Sequence, residues 1–139
     1  MKILLLDSKS ATGHVVYKYL SEMKYDIHPV SMIDIFDSMN HNSTKPFNFI
    51  ENLLDKYSFH SVINLARIIN EDAENNPLDA ILINSYLPKF LEQITSKTGT
   101  KVIHISTDCV FSGKSGPYYE NDFKDGSSFY AISRGLGEI

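Results

Sequence analysis

Short apolar runs alternate along the chain with longer stretches in which hydrophobic residues recur at helical spacing. Lys2–Leu6 is an apolar run of the kind that fills a strand buried on both faces, and Val15, Val16, Tyr19, Leu20 and Met23 then follow at helical spacing. Residues 25–30 predict a second strand. Pro29 marks it as an edge or a strand end, because proline has no N–H for a sheet ladder. Residues 37–46, rich in Asn, Ser, His and Thr, predict a loop. Phe47, Ile50, Leu53, Leu54 and Tyr57 predict an amphipathic helix, and residues 61–66 a third buried strand.

Glu71, Asp72 and Glu74 suit a solvated helix start, and Asn76 with Pro77 reads as an N-cap followed by a first-turn proline. Leu78, Ile81, Leu82, Tyr86, Phe90, Leu91 and Ile94 then give a long helix with a core-facing stripe. Pro88 removes the hydrogen bond to the carbonyl of Asn84, which predicts a kink there. Gly99 ends the helix, and residues 101–106 are the fourth strand. Residues 112–125, with glycines, a proline and mixed charges, predict a surface loop. Ser127 or Ser128 caps a last helix that carries Tyr130 and Arg134. Strands alternating with helices predict an α/β fold: a doubly wound parallel sheet of four or five strands with helices on both faces.

The length of 139 residues suits a single domain, and 42% hydrophobic with 22% charged residues is a globular composition. A net charge of -4 gives no reason to expect nucleic acid or an anionic membrane as partner. Cys109 is the lone cysteine, and the apolar run at residues 3–6 is too short for a signal peptide, so a cytoplasmic protein is expected. Asn42-Ser43-Thr44 fits a glycosylation sequon, which has no meaning without secretion. The five histidines share no ligand spacing with each other or with Cys109, so no metal is expected.

The chemistry concentrates where the fourth strand ends in Thr107, Asp108 and Cys109, about two dozen residues before Tyr130 and Arg134. A helix places Tyr130 and Arg134 one turn apart on one face. A hydroxyl opposed by a phenol and a fixed cation can polarise a carbonyl and give it a proton, which is reductase chemistry. As alternatives, Tyr130 is an ordinary aromatic and Cys109 a small buried hydrophobe.

The string from Ile105 through Ser106, Thr107, Asp108, Cys109, Val110 and Phe111 to Ser112-Gly113-Lys114 resembles the extended short-chain dehydrogenases. So do Ser115-Gly116-Pro117-Tyr118, Tyr130 with Arg134, and Leu136-Gly137-Glu138. Within that family the chain is similar to the dTDP-4-dehydrorhamnose reductase-like proteins of nucleotide-sugar metabolism, and it matches their N-terminal part. The resemblance implies one Rossmann-like NAD(P)-binding domain over residues 1–139, with the substrate domain absent. Thr107 would then donate to the substrate carbonyl, Tyr130 would supply the proton, and Arg134 would stand in place of the family's lysine. Asp108 and Cys109 would face the substrate. Asn64 and Ala66, in a VINxA-like segment, would line the cofactor, and Asn84 would hold a water near the lysine position. Asn84 serving only local backbone is the alternative.

In the resembled proteins the first turn reads GxxGxxG. Here Asp7, Ser10 and Gly13 occupy those places, so only the last glycine is kept. A carboxylate about 4 Å from a pyrophosphate charge, at an effective dielectric near 20, repels it by about 4 kcal/mol. Cofactor binding is expected to be weakened or lost, and the alternative is a turn that binds nothing. Arginine keeps the lysine's charge, but its planar fork is larger and its pKa hardly shifts, so a large loss of rate is expected. Ser31 and Met32 follow the second strand and do not discriminate NAD from NADP. Two functions follow from the resemblance. One is an NAD(P)-dependent reductase, or epimerase-like enzyme, of nucleotide-linked 4-keto sugars in polysaccharide or deoxysugar biosynthesis, impaired or incomplete here and completed by a second copy or a complementing chain. The other is a non-catalytic relative that binds a nucleotide sugar or a partner protein.

Overall fold

Four parallel strands, β1 (Lys2–Leu6), β2 (Asp26–Val30), β3 (Ser61–Asn64) and β4 (Lys101–His104), form one sheet in the order β2-β1-β3-β4. The structure, a computed structural model, describes residues 1–39 and 45–138; the sequon at 42–44 lies outside them. β1 is paired on both sides, and Leu4, Leu5 and Leu6 are fully buried, as its continuous apolar run requires. β2 is an edge strand, and this is how it accommodates Pro29. β2 and β3 flank β1 on opposite sides, so right-handed crossovers put α1 (Ala11–Glu22) and α3 (Asn48–Lys56) on opposite faces. The fold is therefore doubly wound.

The chain divides into two compact units, Met1–Ala66 with Leu91–Ile105, and Arg67–Phe90 with Ser106–Ile139. The first holds the sheet, α1, α2 (Met32–Ser38) and α3, with Ile35, Phe47, Ile50 and Val62 among its fully buried residues. The second holds α4 (Asn70–Asn75), α5 (Pro77–Ala80), a π-helical segment (Ile81–Tyr86), the start of α6 (Leu87–Thr95), a 3-10 turn (Asp108–Val110) and α7 (Phe129–Gly137). Among the described residues no helix is long and apolar enough to cross a membrane.

Three elements differ from, or add to, what the sequence predicts. Of the loop expected over 37–46, residues 40–44 lie outside the described residues, and Asp37 and Ser38 belong to α2. A capping box starts that helix: the Asp34 carboxylate accepts from the Ser31 N–H at 2.8 Å and the Ser31 hydroxyl at 2.7 Å, while the Asp34 N–H donates to Ser31 Oγ. The apolar stripe of α1 is largely in solvent: Val15, Tyr19 and Met23 are exposed, Val16 and Leu20 are half-buried, and within the helix only Gly13 is buried. The bend expected near Pro88 takes the form of the π-helical segment just before it, where the ladder adjusts to a proline that cannot bond back to Asn84.

β4 is the other edge of the sheet. Ile103 is 47% exposed and Ile105 45% exposed, although strand pairing puts Ile103 in register with Ile63 and, through it, Leu5 of the central strand.

A side chain at position 13 has nowhere to go. A Cβ there would stand 1.9 Å from the Asp7 carbonyl oxygen and 2.9 Å from two main-chain carbons, none of which can swing aside. Gly13→Ala is expected to destabilise the chain by about 3 kcal/mol, read as a lowered midpoint in urea with an unchanged m-value.

Candidate functional site

The turn between β1 and α1 is built on Asp7, Ser10 and Gly13. Asp7 has φ 63°, a left-handed conformation that glycine adopts freely and that costs other residues about 1 kcal/mol. Its carbonyl accepts from the Ser10 N–H at 3.3 Å and the Ser10 hydroxyl at 3.0 Å. Ser10 is the N-cap of α1, and its Oγ accepts from the Gly13 N–H at 3.1 Å. One amide of the helix N-terminus is thus already satisfied by protein. Asp7 itself is buried.

Beside this turn lies a cleft of about 360 Å³ lined by Ser8, Lys9, His14, Tyr17, Ser31 and Asp34, with Pro29 at its side. Lining residues come from just beyond the carboxyl end of β1 and from the end of β2, the region where open α/β sheets hold ligands. The Ser31 hydroxyl and amide, helped by Lys9, hold the Asp34 carboxyl below its ordinary value. Asn64 and Ala66, expected to line a cofactor, are fully buried. The Ala66 N–H donates to Asn64 Oδ1 at 3.1 Å, which fixes the carboxamide and leaves Nδ2 to bond His104 Nδ1 at 3.1 Å, across the β3–β4 ladder.

The residues expected to carry chemistry lie in the second unit. Thr107 opens the 3-10 turn: its Oγ1 accepts from the Cys109 N–H at 3.3 Å and donates to Asp108 Oδ1 at 3.4 Å. Cys109 is exposed, not a buried hydrophobe, and its Sγ is 3.8 Å from the same Asp108 oxygen. The turn meets α7 through Gly126. A Cβ on that residue would lie 2.7 Å from the Cys109 carbonyl oxygen and 2.7 Å from the Ala131 Cβ, and the Gly126 N–H donates to the Val110 carbonyl at 2.9 Å. Nothing in the sequence singled out Gly126.

Helix α7 begins at Ser128, one of the two expected caps, whose Oγ accepts from the Ala131 N–H at 3.1 Å. Tyr130 is 8% exposed and Arg134 1% exposed. Burial pushes the Arg134 guanidinium below its ordinary value; the nearby Tyr130 and Glu138 raise it and Arg67 lowers it. Asn84 serves protein groups with its whole carboxamide. Oδ1 accepts from the Ile68 N–H at 2.9 Å, and Nδ2 donates to the Ile68 carbonyl and to Ser133 Oγ, each at 2.9 Å. Ser133, which the sequence did not suggest, is held again when the Ser85 hydroxyl donates to its carbonyl at 2.7 Å.

A second cleft, of about 480 Å³, is lined by Asp108, Cys109, Phe111, Ser112, Gly113 and Tyr118. Its wall is more ordered than a surface loop of that composition suggests. Phe111 and Tyr118 stack with centroids 4.5 Å apart, and the Tyr118 hydroxyl accepts from the Ser115 N–H at 3.0 Å. Asp125 accepts from the Ser112 N–H at 2.7 Å and from its hydroxyl at 2.5 Å. Those two bonds hold the Asp125 carboxyl below its ordinary value. Among the described residues no group of three or more His, Cys, Asp or Glu side chains is placed to hold a metal ion.

A family model described as the RmlD substrate binding domain matches residues 1–139. A spore coat polysaccharide biosynthesis protein of Bacillus subtilis, SpsK, is 28% identical over 99% of this chain and 47% of its own length. The crystal structure of a dTDP-4-dehydrorhamnose reductase from Clostridium acetobutylicum superposes with a TM-score of 0.80 at 26% identity, over 99% of this chain and 47% of that one. A dTDP-4-dehydrorhamnose reductase from Bacillus anthracis, in complex with NADP, gives a TM-score of 0.80 at 20% identity, over 98% of this chain and 47% of that one, a likeness of fold. The chain thus spans about half the length of these relatives.

Asn84→Ala leaves an N–H, a carbonyl and a hydroxyl without their partner, and is expected to cost about 3 kcal/mol, measured by urea unfolding. The Asp125 carboxyl is depressed in the folded chain, so its contribution is present above the ordinary value of 3.8 and is lost only as pH falls through the lower folded value. In Ser112→Ala the 112–125 loop should release at higher pH, nearer 3.8, as followed by the chemical shifts of Tyr118.

Proposed function

Because the chain belongs to the RmlD substrate binding domain family, we propose that it is the nicotinamide-cofactor half of a reductase of nucleotide-linked 4-keto sugars, of the dTDP-4-dehydrorhamnose reductase type. It would act in the cytoplasm, in the assembly of a deoxysugar or polysaccharide, and would need the remaining half of the site from further chain. The observation that carries this reading is the turn after Thr107, whose Asp108 and Cys109 line a cleft and which is pressed through Gly126 onto the helix that bears Tyr130 and Arg134. Each residue then has a role. Thr107 turns its hydroxyl from Asp108 to the substrate carbonyl, Tyr130 gives that oxygen a proton, and the Arg134 charge favours the phenolate left behind. Asp108 and Cys109 face the sugar.

NADP or NAD, when bound, supplies the hydride. The first turn fits such a cofactor in its backbone: Asp7 adopts the conformation a glycine would, and Gly13 allows the close approach of helix to strand. Ser10 is an obstacle besides the Asp7 carboxylate, since its Oγ occupies the helix N-terminus where a pyrophosphate would bond. Rotating Ser10 away gives up a cap worth about 1 kcal/mol, roughly fivefold in affinity. Binding is therefore weakened more than abolished by this residue.

A non-catalytic relative that binds a nucleotide sugar is the second reading, favoured by the buried guanidinium of Arg134 in the place of a lysine. Titration with NADPH and with NADH, followed by reduced-cofactor fluorescence, separates the two. The reductase reading expects saturable binding that tightens about fivefold in Ser10→Gly. Absence of binding by the natural chain, by Ser10→Gly and by the double variant Asp7→Gly, Ser10→Gly alike would remove the reductase reading.

A further inference from the structure

We propose that Glu138 is a positioning residue that fixes the segment opening at Ser106 and bearing Thr107 to the helix bearing Tyr130, deepening the reductase reading on which its catalytic consequence rests. The last sheet bond on this segment is donated by the Ile105 N–H to the Asn64 carbonyl, at 3.2 Å. Past it the chain needs another anchor. At the far end of the 3-10 turn Val110 is held by Gly126. At the near end the Ser106 hydroxyl donates to Glu138 Oε1 at 2.7 Å, a bond between residues 32 positions apart.

Glu138 is itself pinned from three sides. Its Oε2 is 3.1 Å from Lys124 Nζ, its carbonyl accepts from Lys89 Nζ at 2.7 Å, and its N–H donates to the Gly135 carbonyl at 3.4 Å. It follows Arg134 by four residues, one helical turn further along, and its charge acts on that guanidinium. One carboxylate thus touches the residue before Thr107, the 112–125 loop through Lys124, and the electrostatics of Arg134. The contacts are partly exposed and contribute little to global stability. What they set is where the Thr107 hydroxyl stands.

The test uses Ser106→Ala, Glu138→Ala and Glu138→Gln in the full chain. The glutamine keeps an oxygen that can accept from Ser106 but loses the ion pair with Lys124. Cys109, the sole thiol, sits in the positioned turn and is exposed, so its alkylation by neutral iodoacetamide reports the geometry of the turn whether or not the chain turns over. The expected result is a change of about threefold or more in alkylation rate in Ser106→Ala and Glu138→Ala alike, with Glu138→Gln close to the natural chain and all unfolding midpoints unchanged. With the remaining half of the site supplied, a nucleotide-linked keto sugar and reduced cofactor, Ser106→Ala should lose about tenfold in kcat at unchanged KM. Natural alkylation rates in all three variants overturn the proposal, as does any pattern in which Ser106→Ala and Glu138→Ala do not move together, or a rate change that only follows a lowered midpoint. A shift in alkylation together with no binding of NADPH or NADH by the natural chain and its Ser10→Gly variants upholds the clamp and removes the reductase reading alone.

Discussion

A carboxamide shut away from water must use its donors and its acceptor on protein, or forfeit about 1–3 kcal/mol for each group left unmet. Asn84 is fully buried and satisfies both backbone groups of Ile68 while bonding Ser133 on α7. The segment leaving β3, the π-helical segment and the helix of Tyr130 and Arg134 are therefore registered against one another by a single side chain. The widened helical turn in which Asn84 sits belongs to the same arrangement, because Pro88 has no N–H to return to the Asn84 carbonyl. Much of what could act chemically in the second unit is placed relative to this amide.

The sheet was legible in the sequence because continuous apolar runs have few other readings, and Pro29 marked an edge correctly. Ser128 was legible as a cap because a hydroxyl before a helical stretch has a mechanism. Helix α2 was missed because seven residues are too few for a period to show, although its Ser31 to Asp34 spacing is a capping signal. The stripe on α1 is real, but periodicity says only that apolar residues share a side and not whether anything lies over them. For the candidate site, residue types and order could be read from the chain. The contacts that assemble it could not: Gly126 is pressed between a turn and a helix, and no local pattern tells such a glycine from one in an open loop.

The first turn takes its shape from Asp7 and Ser10. Asp7 accepts a left-handed conformation, and the Ser10 hydroxyl supports it by bonding the Asp7 carbonyl on one side and the Gly13 amide on the other. The serine thus ties up the amide that the phosphate of the proposed cofactor would need, so under that proposal the stability of the turn and affinity for a phosphate oppose each other at one oxygen atom.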